Sequence, residues 1–313
     1  MKRLLKDVKT HTQSSILGLV FENSGENSYL SSEKSYDRNG NLLREKDFSV
    51  DGSTEINNIY EYDEQNRLLK AVYLDENDEI METHFYEYNE QNLLIKEIFC
   101  YGDENPDDED ACYDIIEFQY DEDNNRIKKT SVDSEGNFNG EKLNVYQEGR
   151  LIREVNFGEE KNMEMEILYE YDSQGNMLSE NRIDHIENVR NVLKYEYDER
   201  NLKTKSLIYN NYEQLIRIST MEYDEAGNMI GLTEENRDSY VVKKFEYDTE
   251  KSKIIVEKLF NKEEELKEFR HYEFDGDLPL KMDHFVYSPE SDEADEDGFL
   301  LNGSVKYDYT FFE

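Results

Sequence analysis

Five histidines, two cysteines and several runs of carboxylates are the residues of this chain whose chemistry could serve catalysis or metal binding. The histidines are dispersed, and His84 and His271 fall in strand-like stretches, where a hydrogen-bonded imidazole needs no reaction to explain it. Cys100 and Cys112 flank the acidic loop "YGDENPDDEDA" and could face each other across a hairpin. A cytosolic setting favours two thiols over a bridge, and a nucleophilic role would require a nearby histidine and a depressed pKa. The runs "DENPDDED" at 103–110 and "DEADEDG" at 292–298 offer oxygen ligands for calcium without the spacing of an EF-hand, so they read as solvated loops. The sequence has no P-loop, dinucleotide-binding glycine fingerprint, Gly-x-Ser-x-Gly or His-Glu-x-x-His. The expectation is a non-enzymatic protein with no cofactor and no metal centre.

Composition narrows the partners. Lys and Arg number 36 against 75 Asp and Glu, a net charge of −39 in 313 residues. Such a chain repels phosphate backbones and anionic lipid heads, so neither nucleic acid nor a membrane surface is an expected partner. With 24 Tyr, 15 Phe and only 3 Pro it is too aromatic for a disordered acidic chain. The stretch "MKRLLKDVKTHTQSS" lacks the apolar core of a secretory signal, and no window approaches the roughly 20 apolar residues of a spanning helix. A cytoplasmic location is the expectation.

The elements that position these side chains are written as a repeat. Tyr36, Tyr62, Tyr88, Tyr120, Tyr146, Tyr171, Tyr197, Tyr223, Tyr247, Phe274 and Tyr307 recur at intervals of 26, 26, 32, 26, 25, 26, 26, 24, 27 and 33. The two long intervals hold the acidic insertions near 101–112 and 288–303. Within a unit, residues alternate with period two: Tyr60 and Tyr62 share a face while Glu61 points away, and Tyr86 and Tyr88 flank Glu87 in the same way. A turn follows, where Asp63, Asp121, Asp172, Asp198, Asp224, Asp248 and Asp275 can accept hydrogen bonds from their own turn backbone and Gly or Asn supplies a positive φ. An apolar pair such as Leu68–Leu69 then opens a return strand. The predicted fold is all-β: antiparallel hairpins of about 26 residues forming a long curled or spiralling meander sheet, with the ring-bearing face buried.

The stretches "YEYDSQGNMLSE", "MEYDEAGNMIGL", "YEYDEQNRLLKAVYLD" and "SYDRNGNLLREKD" resemble the YD repeats of Rhs-type bacterial proteins over roughly residues 16–287. The resemblance implies a curled hairpin sheet, of the kind that in that family spirals into a hollow shell able to enclose a toxic C-terminal segment. Departures are Asn66, Asn92 and Asn201 in place of the turn glycine, and an Arg-Leu after the turn only at Arg67–Leu68 and Arg150–Leu151. With only a short tail after the repeats, ending at Glu313, a chain that carries no separate toxin is the expectation. Three segments result: an arm over 1–15, able to form a short helix with Leu4, Leu5 and Val8 on one side; the repeat domain over 16–287; and an acidic loop with a final strand over 288–313. Ten or so units at about 4.8 Å per strand make a strip on the order of 100 Å wide; closed into a ring, its hollow of roughly 20 Å would call for flattening, coiling or a filler, for which the N-terminal arm is a candidate.

Acid also gathers at the turns, in Asp63-Glu64, Asp121-Glu122-Asp123, Asp198-Glu199 and Asp224-Glu225. If equivalent turns emerge every second strand, these nine residues line one edge of the sheet. That stripe would discourage sheet-to-sheet association or capture a basic partner electrostatically. The functional expectation is a binding protein, namely an immunity protein neutralising a basic toxin such as a nuclease. The alternative is a scaffold or shell-like module built from the same repeats.

Overall fold

The computed structural model of the chain describes residues 4–14, 28–102, 106–107, 111, 113–248 and 253–313. Alternation of branched or aromatic residues with charged ones favours strands throughout, and 22 form among the described residues. They are β1 (Leu5–Ser14), β2 (Ser28–Tyr36), β3 (Leu42–Phe48), β4 (Thr54–Tyr62), β5 (Leu68–Leu74), β6 (Ile80–Tyr88), β7 (Leu94–Tyr101), β8 (Tyr113–Tyr120), β9 (Arg126–Asp133), β10 (Phe138–Gln147) and β11 (Arg150–Phe157). The series continues with β12 (Met163–Tyr171), β13 (Met177–Asp184), β14 (Val189–Tyr197), β15 (Lys203–Tyr209), β16 (Leu215–Tyr223), β17 (Met229–Asn236), β18 (Tyr240–Tyr247), β19 (Ile254–Phe260), β20 (Leu266–Asp275), β21 (Leu278–Tyr287) and β22 (Phe299–Phe311).

Each strand pairs antiparallel with its neighbours in sequence, and β1 pairs with both β2 and β22. The sheet is therefore a closed 22-stranded barrel; the all-β antiparallel hairpin repeat expected from sequence is present, and the expectation of a long curled or spiralling meander is corrected. The reason lies in bulges that period-two patterning does not encode. Tyr62 lies opposite Leu68 while Glu61 lies opposite Lys70, which leaves Leu69 unpaired. The same shift recurs at Tyr36, Tyr88, Tyr171, Tyr197, Tyr223 and Phe274. A second set sits towards the opposite rim, as between Tyr73 and Leu74. A bulge bends its strand and increases the local twist, so repetition in nearly every hairpin accumulates curvature until the sheet meets itself.

The N-terminal arm is not a helix. Val8, Thr10 and Thr12 alternate with polar neighbours and suit a strand, and Leu5–Ser14 is the strand that closes the ring. At this seam Phe311 lies opposite Leu5 and Thr310 opposite Asp7, which leaves Lys6 unpaired as Leu69 is in β5. Phe312 N–H donates to Leu4 O at 3.0 Å, just as Asp63 N–H donates to Arg67 O at 3.0 Å. β22 and β1 thus form the eleventh hairpin, split between the two ends of the described chain. Its anchor is Phe311, not Tyr307, which the repeat spacing had picked out.

The ring-bearing face is not a dry core. Only Ala71, Val72, Ile98, Cys100, Phe118, Val155 and Met221 are buried apolar residues among those described. The accessible surface is 20417 Å², whereas a compact globular chain of 37.3 kDa would expose roughly 13,700 Å². The excess arises because both faces of the barrel wall are solvated. Cys100 is fully buried; Cys112, most of the 103–110 loop and the segment 15–27 lie outside the described residues.

Candidate partner-binding rims

Antiparallel alternation puts the turns from β4 to β5, β8 to β9, β14 to β15 and β16 to β17 at one end of the barrel, so the nine acidic residues singled out from sequence share a rim. Their chemistry is divided. Asp63 Oδ1 accepts from the backbone amides of Gln65 and Arg67, both at 2.9 Å, and Asp63 Oδ2 accepts from Arg67 Nε at 2.6 Å. Asp121 accepts from Asp123 N, Asn125 N and Asn125 Nδ2 at 3.0, 2.9 and 3.0 Å. Asp198 accepts from Arg200 N and Leu202 N, both at 2.9 Å, and Asp224 from Asn228 N and Nδ2 at 2.8 and 2.9 Å. The Asn125 and Asn228 side-chain amides hold the carboxyls of Asp121 and Asp224 below the usual carboxylate range. The Leu202 amide does the same for Asp198. These aspartates build the turns. Glu64, Glu122, Asp123, Glu199 and Glu225 stand exposed beside them and make no side-chain ion pair among the described residues.

Cations stitch this rim from turn to turn. Arg67 Nη1 donates to Asn92 Oδ1 at 2.9 Å, Arg150 Nη1 to Asp172 O at 3.1 Å and Arg200 Nη1 to Asp224 O at 2.7 Å. Asn41 Nδ2 reaches Asn66 Oδ1 at 2.8 Å and Asn176 Nδ2 reaches Asn201 Oδ1 at 3.0 Å. Asn66, Asn92, Asn124 and Asn201 adopt φ of 61–65°, the left-handed conformation that asparagine tolerates better than most side chains.

The opposite rim is as acidic and less neutralised. Glu76, Glu79, Glu159, Glu160, Glu263 and Glu264 are exposed there without ion-pair partners among the described residues. The final turn adds Asp292, Glu293, Glu296 and Asp297. Sequence reading placed the acid on one edge because it tracked only the Tyr-x-Tyr-Asp turns; the runs "DENDE", "GEEK" and "KEEE" marked the other turns in plain view.

Between the rims the wall is electrically balanced. On one face Lys96 pairs with Glu87 at 3.5 Å, Lys205 with Glu196 at 3.5 Å and Lys258 with Glu246. On the other, Lys34 pairs with Glu45 at 3.0 Å, Lys142 with Glu154 at 2.7 Å and Arg270 with Glu257 at 3.2 Å. The first ring of several units joins this second face: Tyr60, Tyr169 and Tyr272 hydroxyls donate to Glu45, Glu154 and Glu257 at 2.7, 2.9 and 3.2 Å. Burial, reinforced by the adjacent carboxylate, pushes the Tyr60 and Tyr169 phenols up. The second ring has a different task. Tyr88, Tyr120, Tyr171, Tyr197, Tyr223 and Tyr247 hydroxyls donate at 2.7–3.0 Å to the carbonyls of Leu68, Leu94, Leu151, Met177, Lys203 and Met229, each the residue that opens, or nearly opens, the preceding strand.

Among the described residues no group of three or more His, Cys, Asp or Glu side chains is arranged to hold a metal ion, and no helix is long and apolar enough to cross a membrane. The surplus negative charge therefore collects at the two mouths of a barrel whose wall is near neutral.

No family model and no curated protein matches the chain. Among solved structures, a porin-like protein from Bacteroides uniformis is similar over 77% of this chain and 91% of its own, at 9% identity and a TM-score of 0.36. A porin-like protein from Bacteroides vulgatus is similar over 99% of each chain, at 8% identity and a TM-score of 0.24. The TcdB2-TccC3 complex without its hypervariable C-terminal region is similar over 90% of this chain and 23% of its own, at 9% identity and a TM-score of 0.31. At these scores the likenesses decide neither closure nor function.

Proposed function

We propose that this chain is a non-enzymatic acidic binding protein of the cytoplasm that captures a basic protein, as an immunity protein neutralising a basic toxin would. The observation that carries the reading is the placement of charge: carboxylates without ion-pair partners at both mouths, with ion-paired walls between them. Such a field steers a cationic partner and raises its association rate, an effect that salt weakens. The YD-repeat resemblance, from a family found in toxin systems, fits the same reading. A second reading, a scaffold or shell-like module, is supported by the closed ring and its solvated inner face. Among the described residues, ion pairs lie along both faces of the wall, whereas a barrel face against lipid hydrocarbon is an apolar band.

Affinity capture from the source cell with mass spectrometry, read beside the gene's neighbours, tests the proposal. A basic protein should be recovered whose binding weakens about tenfold or more between roughly 0.05 and 0.3 M salt. Glu263→Lys with Glu264→Lys should slow its association. Recovery of nothing basic, and no toxin gene alongside, would remove the proposal and leave the scaffold reading.

A further inference from the structure

The joint between β1 and β22 differs from every other joint in the ring. All other neighbouring strands are consecutive in the chain, whereas Thr310 and Asp7, in contact across the seam, stand 303 positions apart. Every other joint is tied at one rim by the segment of chain that connects its two strands, and this one is not.

The seam ladder pairs nine positions, from Leu5–Phe311 to Ser14–Gly303. Thr310 Oγ1 donates to Asp7 Oδ2 at 2.7 Å in an exposed position, and His11 Nε2 lies 3.4 Å from Asp308, an ion pair only when the imidazole is charged. In place of a turn the seam has the single Phe312–Leu4 backbone bond, with the Arg38 guanidinium 5.0 Å from the centre of the Phe312 ring.

We propose that the barrel opens reversibly at the β1–β22 seam, releasing the ladder edges of these two strands while the other joints stay closed. The inference is independent of the proposed partner.

Amide exchange followed by mass spectrometry on the full chain tests it. Amides of β1 and β22 facing each other should exchange at least about tenfold faster than those of β14 and β15, because local opening sets exchange. A Thr12→Cys/Val305→Cys variant, whose positions lie opposite each other, should lose that excess when oxidised and regain it when reduced. A Ser206→Cys/Ser219→Cys variant, bridging β15 to β16, should leave seam exchange unchanged. Equal protection of the seam and of β14–β15 in the unmodified chain overturns the proposal, whether or not the variants fold; so does an equal effect of the two bridges.

Discussion

The second tyrosine of each unit does more than fill space. The Tyr171 hydroxyl donates to Leu151 O at 2.9 Å, on the strand before its own, beside the bulge that interrupts the ladder there. Replacing Tyr171 by Phe should cost about 1 kcal/mol, the usual net value of such a bond, measurable as a lower denaturant midpoint at constant m. Tyr195→Phe, whose bond to Glu180 is 3.5 Å long, should cost less. In the following turn, Asp172 accepts from Gln174 N, Asn176 N and Asn176 Nδ2, all at 2.9 Å. Asp172→Ala should therefore lose about 1–2 kcal/mol, while Asp172→Asn, which keeps the two backbone bonds and gives up only the one from Asn176 Nδ2, should lose less. The chain supplies the control for the backbone bonds itself: Asn89 holds the equivalent place, accepting from Gln91 N and Leu93 N at 2.9 Å. Equal losses for Ala and Asn would show that the acceptor geometry is not what matters. The turn role of the aspartates was legible because donor and acceptor are a few positions apart. The tyrosine bond was not, because its acceptor is a carbonyl about 20 positions upstream.

At the scale of strands and hairpins, period and type of element could be read from sequence, since rings at a spacing near 26 end the first strand of ten hairpins. What alternation could not show is where it lapses. The apolar pair after each turn reads as two core residues, yet the second of the pair is the bulge residue: Leu43, Leu69, Leu178, Ile230 and Leu280 are 38–40% exposed. Leu69→Lys should consequently change stability by no more than about 0.5 kcal/mol. Val72→Lys, three positions on and 8% exposed, should cost several times as much because it buries an unpaired charge. Thermal melts of the two variants decide the matter, and a large loss for Leu69→Lys would mean that the bulge packs. The strand character of β1 escaped sequence reading for a related reason. Its pattern is that of a return strand, and the Tyr309-Thr310-Phe311 stretch it answers stands at the far end of the chain.

For the whole molecule the governing quantity is charge, since a thin solvated wall has little burial with which to oppose self-repulsion. Acid works in two opposing ways. Lowering pH toward the pI of about 4.4 removes the −39 charge and relieves repulsion. Further acidification protonates turn carboxylates whose pKa is lower in the folded chain than the ordinary 3.8: Asp121, Asp172 and Asp224 through their Asn side-chain donors, and Asp51, held at about 2 by the Ser49 hydroxyl. A depressed folded pKa contributes stability that is complete above the unfolded value and is lost as pH falls through the folded one. The acid limb should therefore lie between about pH 4 and pH 2. At the other end, burial raises the phenols, Tyr309 to about 12 and Tyr60 and Tyr86 further. Their contribution is present below pH 10 and is lost as pH rises through the folded values, so an alkaline limb should begin near pH 10. Between the limbs, raising salt from about 0.02 to 0.3 M should raise Tm at pH 7 to 8 and have little effect near pH 4.4, because screening helps only where repulsion exists. Calorimetry at the two pH values settles this, and an equal salt shift at both would mean that rim repulsion does not limit the stability of the barrel.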